Sequence, residues 1–190
     1  MQYLFVNCLE RMTPTWIESI IATRSAIILN TTAHNFVRLM TFLKYTFSPI
    51  FVSSSRALMD IWAVDFPLKS QRFQLNYNFL DFRADARLIV RYTVAKDQAV
   101  QSITDLFRGA NWLEREVWDM FGIFFLNHPD LRRILTDYGF DGFPMRKDFP
   151  LTGYTQVRYD EEYKKVVLEP VELTQEYRYF DFTSPWDRKK

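Results

Sequence analysis

The alternation of apolar and polar side chains is clearest between residues 58 and 95, where it predicts three strands. Arg72–Phe82 and Arg87–Ala95 each place apolar residues on one side and polar residues on the other, so one face should be buried and the other should meet water. Leu58–Phe66 is apolar on both sides, which is typical of a central strand. Because short polar segments join the three, we expect an antiparallel meander.

Helical spacing of apolar residues precedes these strands. Thr13–Ala26 is predicted to be a short helix behind a Thr cap, and Ala26–Leu29 a brief strand. A second helix is predicted from apolar residues at intervals of three and four, namely Phe36, Leu39, Met40, Leu43 and Phe47. Thr46–Ser55, with a proline and three consecutive serines, is predicted to be a loop.

Further helices are predicted after the strands. Asp97 is expected to cap a helix that ends at Gly109, with an apolar face formed by Val100, Ile103 and Phe107. Asn111 is expected to cap a helix over Trp112–Phe121 that Gly122 stops. Asn127–Leu135 resembles another helix start, with Pro129 in its first turn.

Regular patterning fades after Phe125, although aromatic residues and prolines remain dense. A disordered tail is usually poor in aromatics, so this segment should be ordered by something on which it lies. The predicted fold is α+β: a small mixed sheet with an antiparallel three-strand meander, helices packed on one face, and a long irregular C-terminal extension. We expect an α+β globular domain over residues 1–126 and an extended arm over residues 127–190 that wraps partner subunits.

Composition narrows the possible functions. The 190 residues carry a net charge of +1, so nothing global favours nucleic acid or an anionic membrane. The single cysteine, Cys8, excludes an iron–sulfur cluster held by four thiolates of this chain, and two histidines make a structural zinc site improbable. No apolar run approaches the roughly 20 residues of a membrane span.

The predicted helix Trp112–Phe121 separates two kinds of residue. Leu113, Val117, Met120 and Phe121 share an apolar arc, whereas Arg115, Glu116 and Asp119 lie opposite. Arg115 and Asp119 are spaced to pair, and a solvated charged face explains the spacing equally well. Glu114 lies at the edge of the apolar arc, where its carboxylate needs a partner, most simply an arginine of this chain or a neighbour.

The segment that follows is rich in charged residues but has no catalytic loop. His128 is better explained as a structural residue than as a ligand or base, while Arg132 and Arg133 should project outward, where arginine suits bidentate contacts to carboxylates. Arg146, Lys147 and Asp148 suit ion pairs between chains, and a surface loop with balanced charge is the plainer alternative. The glycine and aspartate spacings here match neither a phosphate loop nor a calcium loop.

Two other classes of function remain open. An enzyme would place its acid–base site near Glu114, His128 and Asp130, although the sequence offers no nucleophile and no cofactor loop. A nucleic-acid-binding module would use the sheet, with bases stacked on residues such as Tyr77, Tyr92, Arg87 and Arg91. The near-zero net charge argues against the second alternative.

The run from Glu114 to Leu151 resembles one family, the cofactor-free peripheral-arm subunit of respiratory complex I, the proton-pumping NADH:ubiquinone oxidoreductase. The tail agrees with that family at Glu169–Pro170, Thr174–Glu176 and Arg178–Trp186, and the first hundred residues agree more loosely. The charged residues of this signature are Glu114, Arg115, Glu116, Asp119, His128, Asp130, Arg132, Arg133, Asp137, Arg146, Lys147 and Asp148. We expect them to serve a partner interface.

The resemblance implies a non-catalytic assembly subunit of the quinone-reducing module. It implies no cofactor on this chain, while the assembly uses NADH, FMN, iron–sulfur clusters and ubiquinone. The expected partners are the large subunit that forms the quinone cavity and the iron–sulfur subunits, with no nucleic acid and with membrane association only through the complex. The expected location is the matrix side of the mitochondrial inner membrane.

Overall fold

The computed structural model describes residues 2–23, 26–45, 56–82, 86–180, 182 and 186. The chain forms two compact units, Met1–Phe149 and Pro150–Lys190. The first unit thus includes residues 127–149, which the sequence analysis assigned to the arm. The predicted loop Thr46–Ser55 lies outside the described residues.

Within the described residues, five strands form the main sheet of the first unit. They are β1 (Ile17–Ala22), β2 (Ala26–Thr31), β3 (Arg56–Asp65), β4 (Phe73–Asp81) and β5 (Ala86–Val94), in the order β1-β2-β5-β4-β3. Only β2 and β5 run parallel, so the sheet is mixed, and β3-β4-β5 form the predicted antiparallel meander. β3 is an edge strand rather than the predicted central one. Its apolar residues are explained partly by helix α3 (Ala110–Phe121), which packs on it.

The main core lies between the sheet and its helices. Helix α2 (Ala33–Tyr45) buries Phe36, whose ring centroid lies 4.6 Å from that of Tyr77 and 4.5 Å from that of Tyr92. Leu39, Met40 and Leu43 are buried on the same helix, as predicted, while Phe47 lies outside the described residues. Full burial of one such ring contributes about 1.5–3 kcal/mol. Because both tyrosines face this core, they are not available to stack bases.

The predicted helix over Thr13–Ala26 is wrong. A helix ends where the predicted one was to begin: α1 spans Gln2–Met12, and the hydroxyl of Thr13 donates a 2.9 Å hydrogen bond to the carbonyl of Leu9. Ile17, Ile20 and Ile21 belong instead to β1, which pairs antiparallel with β2. β-branched residues favour strands, and a partner strand next in sequence outweighs a short helical spacing.

The predicted helix over Asp97–Gly109 is also wrong, although Val100 and Ile103 are buried as its apolar face required. Val100–Gln101 is a short strand, β6, which pairs in parallel with β7 (Phe125–Leu126). The N–H of Val100 donates to the carbonyl of Phe124 at 2.9 Å, so the backbone groups that a helix would use are bonded to a distant segment.

The polar face of the meander is less exposed than the sequence predicts. Asn76 is buried, and its side-chain oxygen accepts hydrogen bonds of 3.0 Å from both Gln74 and Arg91. These bonds satisfy the amide oxygen within the sheet face, where the prediction had placed water.

The second unit is built around a hairpin of β8 (Thr155–Asp160) and β9 (Lys165–Pro170). Val157 lies opposite Leu168, and Tyr159 lies opposite Val166. Since cross-strand partners share a face, these four apolar side chains lie on one side of the hairpin. The predicted absence of regular structure is therefore wrong for this part of the C-terminal segment.

Candidate functional site

Helix α3 organises the charged motif. It ends at Gly122, whose φ is 70° and whose N–H donates to the carbonyl of Trp118 at 2.8 Å. The predicted stop at Gly122 is confirmed, but the helix begins at Ala110, so Asn111 is not its cap. Arg115 and Asp119 are buried, and so is Glu114. The interpretation of this side as a solvated charged face is therefore wrong for Arg115 and Asp119, whereas Glu116 is exposed.

Among the described residues, Glu114 has no arginine partner. Its side chain is 0% exposed, and its two carboxyl oxygens contact the hydroxyl of Ser102 at 2.6 Å and the N–H of Ile103 at 2.9 Å. Burial raises the pKa of Glu114 to about 7, even though both hydrogen bonds oppose the rise. The predicted arginine partner is wrong, because a turn brings a hydroxyl and a backbone N–H to this carboxyl group.

His128 lies against the same carboxyl group. Its Nε2 is 3.2 Å from the carbonyl oxygen of Asn111 and 3.9 Å from Oε2 of Glu114. Its Nδ1 accepts a 3.1 Å hydrogen bond from the N–H of Asp130. A carbonyl oxygen can only accept, so Nε2 of His128 is the donor in its contact with Asn111. The side chains of Glu114 and His128 are 0% exposed, so a substrate has no access to this pair.

Asp119 holds the segment after residue 130. Its Oδ2 accepts backbone hydrogen bonds from Ile134, Leu135 and Thr136 at 3.1, 2.7 and 3.0 Å. Its Oδ1 accepts from the hydroxyl of Thr136 at 2.6 Å and from Arg133 at 3.1 Å. Burial by itself would raise the pKa of Asp119, but the hydrogen bonds outweigh burial and lower it.

The same carboxylate explains why residues 127–135 form no helix, in contrast to the prediction. Three consecutive N–H groups that helical bonding would use are donated to Asp119. Asn127 also has a φ of 60°, in the left-handed region. Tertiary contact therefore overrides the local capping pattern.

The arginines of the motif divide between the interior and the surface. Arg133 donates to the carbonyl of Gly142 at 2.9 Å and to Asp119, so it does not project outward as predicted. Arg132 does project outward, with its side chain 73% exposed, and pairs with Asp130 at 2.8 Å. Arg115 donates to the carbonyl of Arg132 at 3.0 Å, in place of the predicted pair with Asp119.

The end of the motif is bonded to the sheet. Arg72 on the segment before β4 pairs with Asp65 at 2.7 Å and with Asp148 at 3.0 Å, and Asp65 also accepts the N–H of Lys147 at 2.8 Å. Arg146 donates to the carbonyl of Phe121 at 2.6 Å. Asp148 is thus paired within the chain, where the sequence had suggested a pair between chains. A hydrogen bond from Arg72 lowers the pKa of Asp65.

Sequence reasoning missed Asp65, Arg72 and Ser102 as parts of this site. They lie far from the motif in sequence, and no local pattern marks them. What the structure leaves at the surface is a smaller set of charged signature residues: Glu116, Asp130, Arg132, Asp137, Lys147 and Asp148. The buried members position the loops, and the exposed members are the ones that a partner could contact.

The second unit exposes its apolar side. Val157 is 57% exposed and Leu168 is 69% exposed, and Tyr159 and Val166 beside them are also exposed. The opposite face carries an ion network in which Arg158 pairs with Glu169 at 2.6 Å and with Asp160 at 3.1 Å. The hairpin is therefore amphipathic, with its polar side satisfied internally. A two-stranded hairpin is marginal in water without a surface against which to pack.

Within the described ranges, none of the helices combines the length and the apolar composition that a membrane span requires. No cluster of three or more His, Cys, Asp or Glu residues in those ranges is arranged to hold a metal ion.

A similar fold occurs in a chain of known structure. The membrane-bound sulfane sulfur reductase, an archaeal respiratory membrane complex, contains a chain that superposes with a TM-score of 0.66 at 22% identity, over 79% of this chain and 86% of that one. At that identity the likeness shows the fold alone.

Sequence relatives are more specific. Residues 29–155 match the family described as the 30 kDa subunit of respiratory-chain NADH dehydrogenase. NADH-ubiquinone oxidoreductase subunit 9 of Reclinomonas americana is 51% identical over 180 residues, which is 95% of this chain and 86% of that protein. NADH dehydrogenase (ubiquinone) iron-sulfur protein 3 of Solanum tuberosum is 45% identical over 189 residues, 99% of this chain and 97% of that protein.

The family match and these relatives define a subunit of a respiratory-chain NADH dehydrogenase. The chain belongs to the family of the 30 kDa subunit of that enzyme. The resemblance found in the sequence is confirmed, as is the role of a complex I subunit.

Proposed function

We propose that this chain is the non-catalytic assembly subunit of the quinone-reducing module, on the matrix side of the mitochondrial inner membrane. Its partners are the large subunit that forms the quinone cavity and the iron–sulfur subunits. NADH, FMN, iron–sulfur clusters and ubiquinone are held elsewhere in the assembly, and this chain meets the membrane only through the complex. We further propose that residues 127–190 supply much of the contact with these partners.

The exposed apolar face of the β8–β9 hairpin carries this proposal. Its four side chains, Val157, Tyr159, Val166 and Leu168, lie on one side and are exposed. An exposed apolar patch with a polar surround marks a protein-binding surface. Tyr177, Tyr179 and Phe180, further along the second unit, are also exposed. Aromatic residues of this kind are enriched in the centres of interfaces.

The exposed charged residues of the first unit support the same role. Glu116, Asp130, Arg132 and Lys147 present both signs of charge at the surface. Charged residues of mixed sign at an interface rim favour the correct partner and raise the association rate more than the affinity. We therefore propose that the apolar hairpin face supplies the binding energy and that these charges determine which partner is bound.

The test is the amount of assembled complex in cells that carry Val157→Asp as their only form of the chain. A buried carboxylate without a partner opposes docking, so we expect the assembled complex to fall severalfold on a native gel stained for NADH oxidation. Val157→Thr keeps the β-branched shape and the strand preference, so a smaller decrease is expected.

Lys165→Asp is the matched control, because it places the same residue in the same hairpin on the opposite, polar side. Its assembled complex should remain near the wild-type level. Wild-type amounts of complex with Val157→Asp, or equal losses for both aspartate variants, would contradict docking through the apolar face.

A further inference from the structure

The contact between Glu114 and His128 is the strongest unexplained feature of the first unit. Both side chains are 0% exposed, and Nε2 of His128 is 3.9 Å from Oε2 of Glu114. That separation is too long for a hydrogen bond. The ring instead donates from Nε2 to the carbonyl of Asn111 at 3.2 Å. Two titratable groups thus share a sealed site without bonding to each other.

The site has too few donors for an ionised carboxylate. Glu114 receives the N–H of Ile103 on Oε1 and contacts the hydroxyl of Ser102 on Oε2. The oxygen of Ser102 also accepts the N–H of Thr104 at 3.1 Å. Within the described residues no lysine or arginine lies at ion-pair distance from Glu114. Two neutral donors do not compensate a negative charge that is fully buried, so the observed arrangement suits the protonated form.

The residues that lie on the sheet side of Glu114 also favour the protonated form of its carboxyl group. Tyr77 on β4 and Tyr92 on β5 are fully buried, with their hydroxyl oxygens 3.2 Å apart. Burial raises the pKa of Tyr77, and the nearby Glu114 contributes to that rise, so the tyrosines stay neutral and cannot compensate a negative charge. On α3 itself, Arg115 and Asp119 are engaged with residues 132–136. Nε2 of His128 lies 3.9 Å from Oε2 of Glu114, close enough for a small shift of the ring to bring its N–H to an ionised carboxylate.

We propose that Glu114, Ser102 and His128 form a proton-dependent latch that holds residues 100–104 and 127–130 against α3. In the closed state Glu114 is protonated and His128 donates to Asn111. Loss of the Glu114 proton to solvent draws the Nε2–H of His128 from the Asn111 carbonyl to the carboxylate. The only covalent change is the loss of one proton from the carboxyl group.

The latch adjoins exposed charged residues, so a shift of His128 would affect the surface of the chain. His128 also accepts the N–H of Asp130, and Asp130 pairs with the exposed Arg132. A shift of the imidazole would therefore move the segment that carries these charges. Burial raises the pKa of Glu114 to about 7, which places the change near neutral pH. The latch belongs to the chain itself and does not depend on the proposed function.

The test uses the full chain labelled with ¹⁵N-histidine and follows the imidazole nitrogens by NMR from pH 5.5 to 8.5. The sequence has two histidines, and His34, at the exposed start of α2, is the reference within the same sample. We expect His128 to keep its Nε2–H tautomer and to show one step in its Nε2 signal near pH 7. In Glu114→Gln, which resembles the protonated acid in shape and bonding, that step should disappear while the His34 signals stay unchanged.

Ser102→Ala provides a second variant that does not change the titrating group. Loss of the hydroxyl removes a donor to the carboxylate, so the midpoint of the His128 step should move up by about one pH unit. The protection factor of the Asp130 amide, which removes the pH dependence of intrinsic exchange, should be about tenfold lower above the wild-type midpoint than below it. An Nε2 signal that is constant with pH, or a step that persists in Glu114→Gln, would overturn the latch.

Discussion

Replacement of Asp119 by alanine gives the most direct test of the polar network behind the motif. The carboxylate is 0% exposed and accepts three backbone N–H groups, one hydroxyl and one guanidinium group. All five donors come from residues 133–136, so a single side chain holds one loop to α3. The alanine variant removes the acceptor and leaves the donors in place.

The magnitude follows from those contacts. A hydrogen bond to a charged group contributes about 1.5–3 kcal/mol, and removal of one partner of a buried ion pair costs about 3–5 kcal/mol. Some of the donors are half-buried and can regain water, so the contributions do not sum in full. We expect Asp119→Ala to lower the free energy of unfolding by about 3–5 kcal/mol, a large part of the 5–15 kcal/mol typical of a domain.

The assay is urea unfolding of the full chain, together with amide exchange at Ile134, Leu135 and Thr136. Glu116→Ala is the matched control, because Glu116 is an exposed carboxylate on the same helix and its loss should stay within about 0.5 kcal/mol. A loss below about 1 kcal/mol for Asp119→Ala, with unchanged exchange at the three amides, would refute the reasoning.

The stability that Asp119 contributes should decrease at acid pH. The pKa of Asp119 is lowered in the folded chain from an ordinary value of 3.8. The unfolded chain therefore binds the proton more readily, and the stabilisation is present above that value and lost as the pH falls below it. Asp119→Asn should lose this acid-sensitive part of the stability while it keeps the shape of the side chain. An identical acid limb in wild type and Asp119→Asn would contradict the assignment.

Two further predictions concern Gly122 and Asp65, which lie against residues 143–148. Gly122→Ala should lower stability by about 1–3 kcal/mol in urea unfolding, because φ is 70° and a Cβ would lie 2.6 Å from the ring of Phe143; a neutral effect would show that the C-cap relaxes freely. Asp65→Ala should destabilise far more than Asp148→Ala, which should cost less than about 1 kcal/mol because Asp148 is 58% exposed while Asp65 is sealed against Arg72; equal losses would contradict this ranking.

The sequence predicts the core of the fold well where one local pattern is enough. In β4 and β5 the alternation of apolar and polar residues continues for nine residues, and the predicted inward side is the buried one. The end of α3 follows from Gly122, because few other residues adopt a left-handed cap at low cost. These features depend on neighbours in sequence, and the sequence contains those neighbours.

Local sequence patterns do not predict the structure where the backbone is hydrogen-bonded to a residue distant in sequence. The segment after Asn127 has a favourable start for a helix, but Asp119 binds its N–H groups. Val100 and Ile103 have helical spacing, but their backbone pairs with β7 and with Glu114. In each case the competing contact comes from more than ten residues away, and no short window can contain it.

The charged residues between Glu114 and Asp148 are dense because buried and exposed charges have different roles. A loop that must present charges such as Arg132 and Lys147 has little core of its own, so its backbone donors need acceptors from a rigid element. Asp119 on α3 and Asp65 on the sheet supply those acceptors, and each binds the backbone of a segment that carries an exposed charge. Buried and exposed charges are therefore interleaved along the chain, because every exposed group needs a buried one nearby to position it. If this reasoning is correct, changes at buried positions will alter assembly through loop geometry, and changes at exposed positions will alter it with the fold intact.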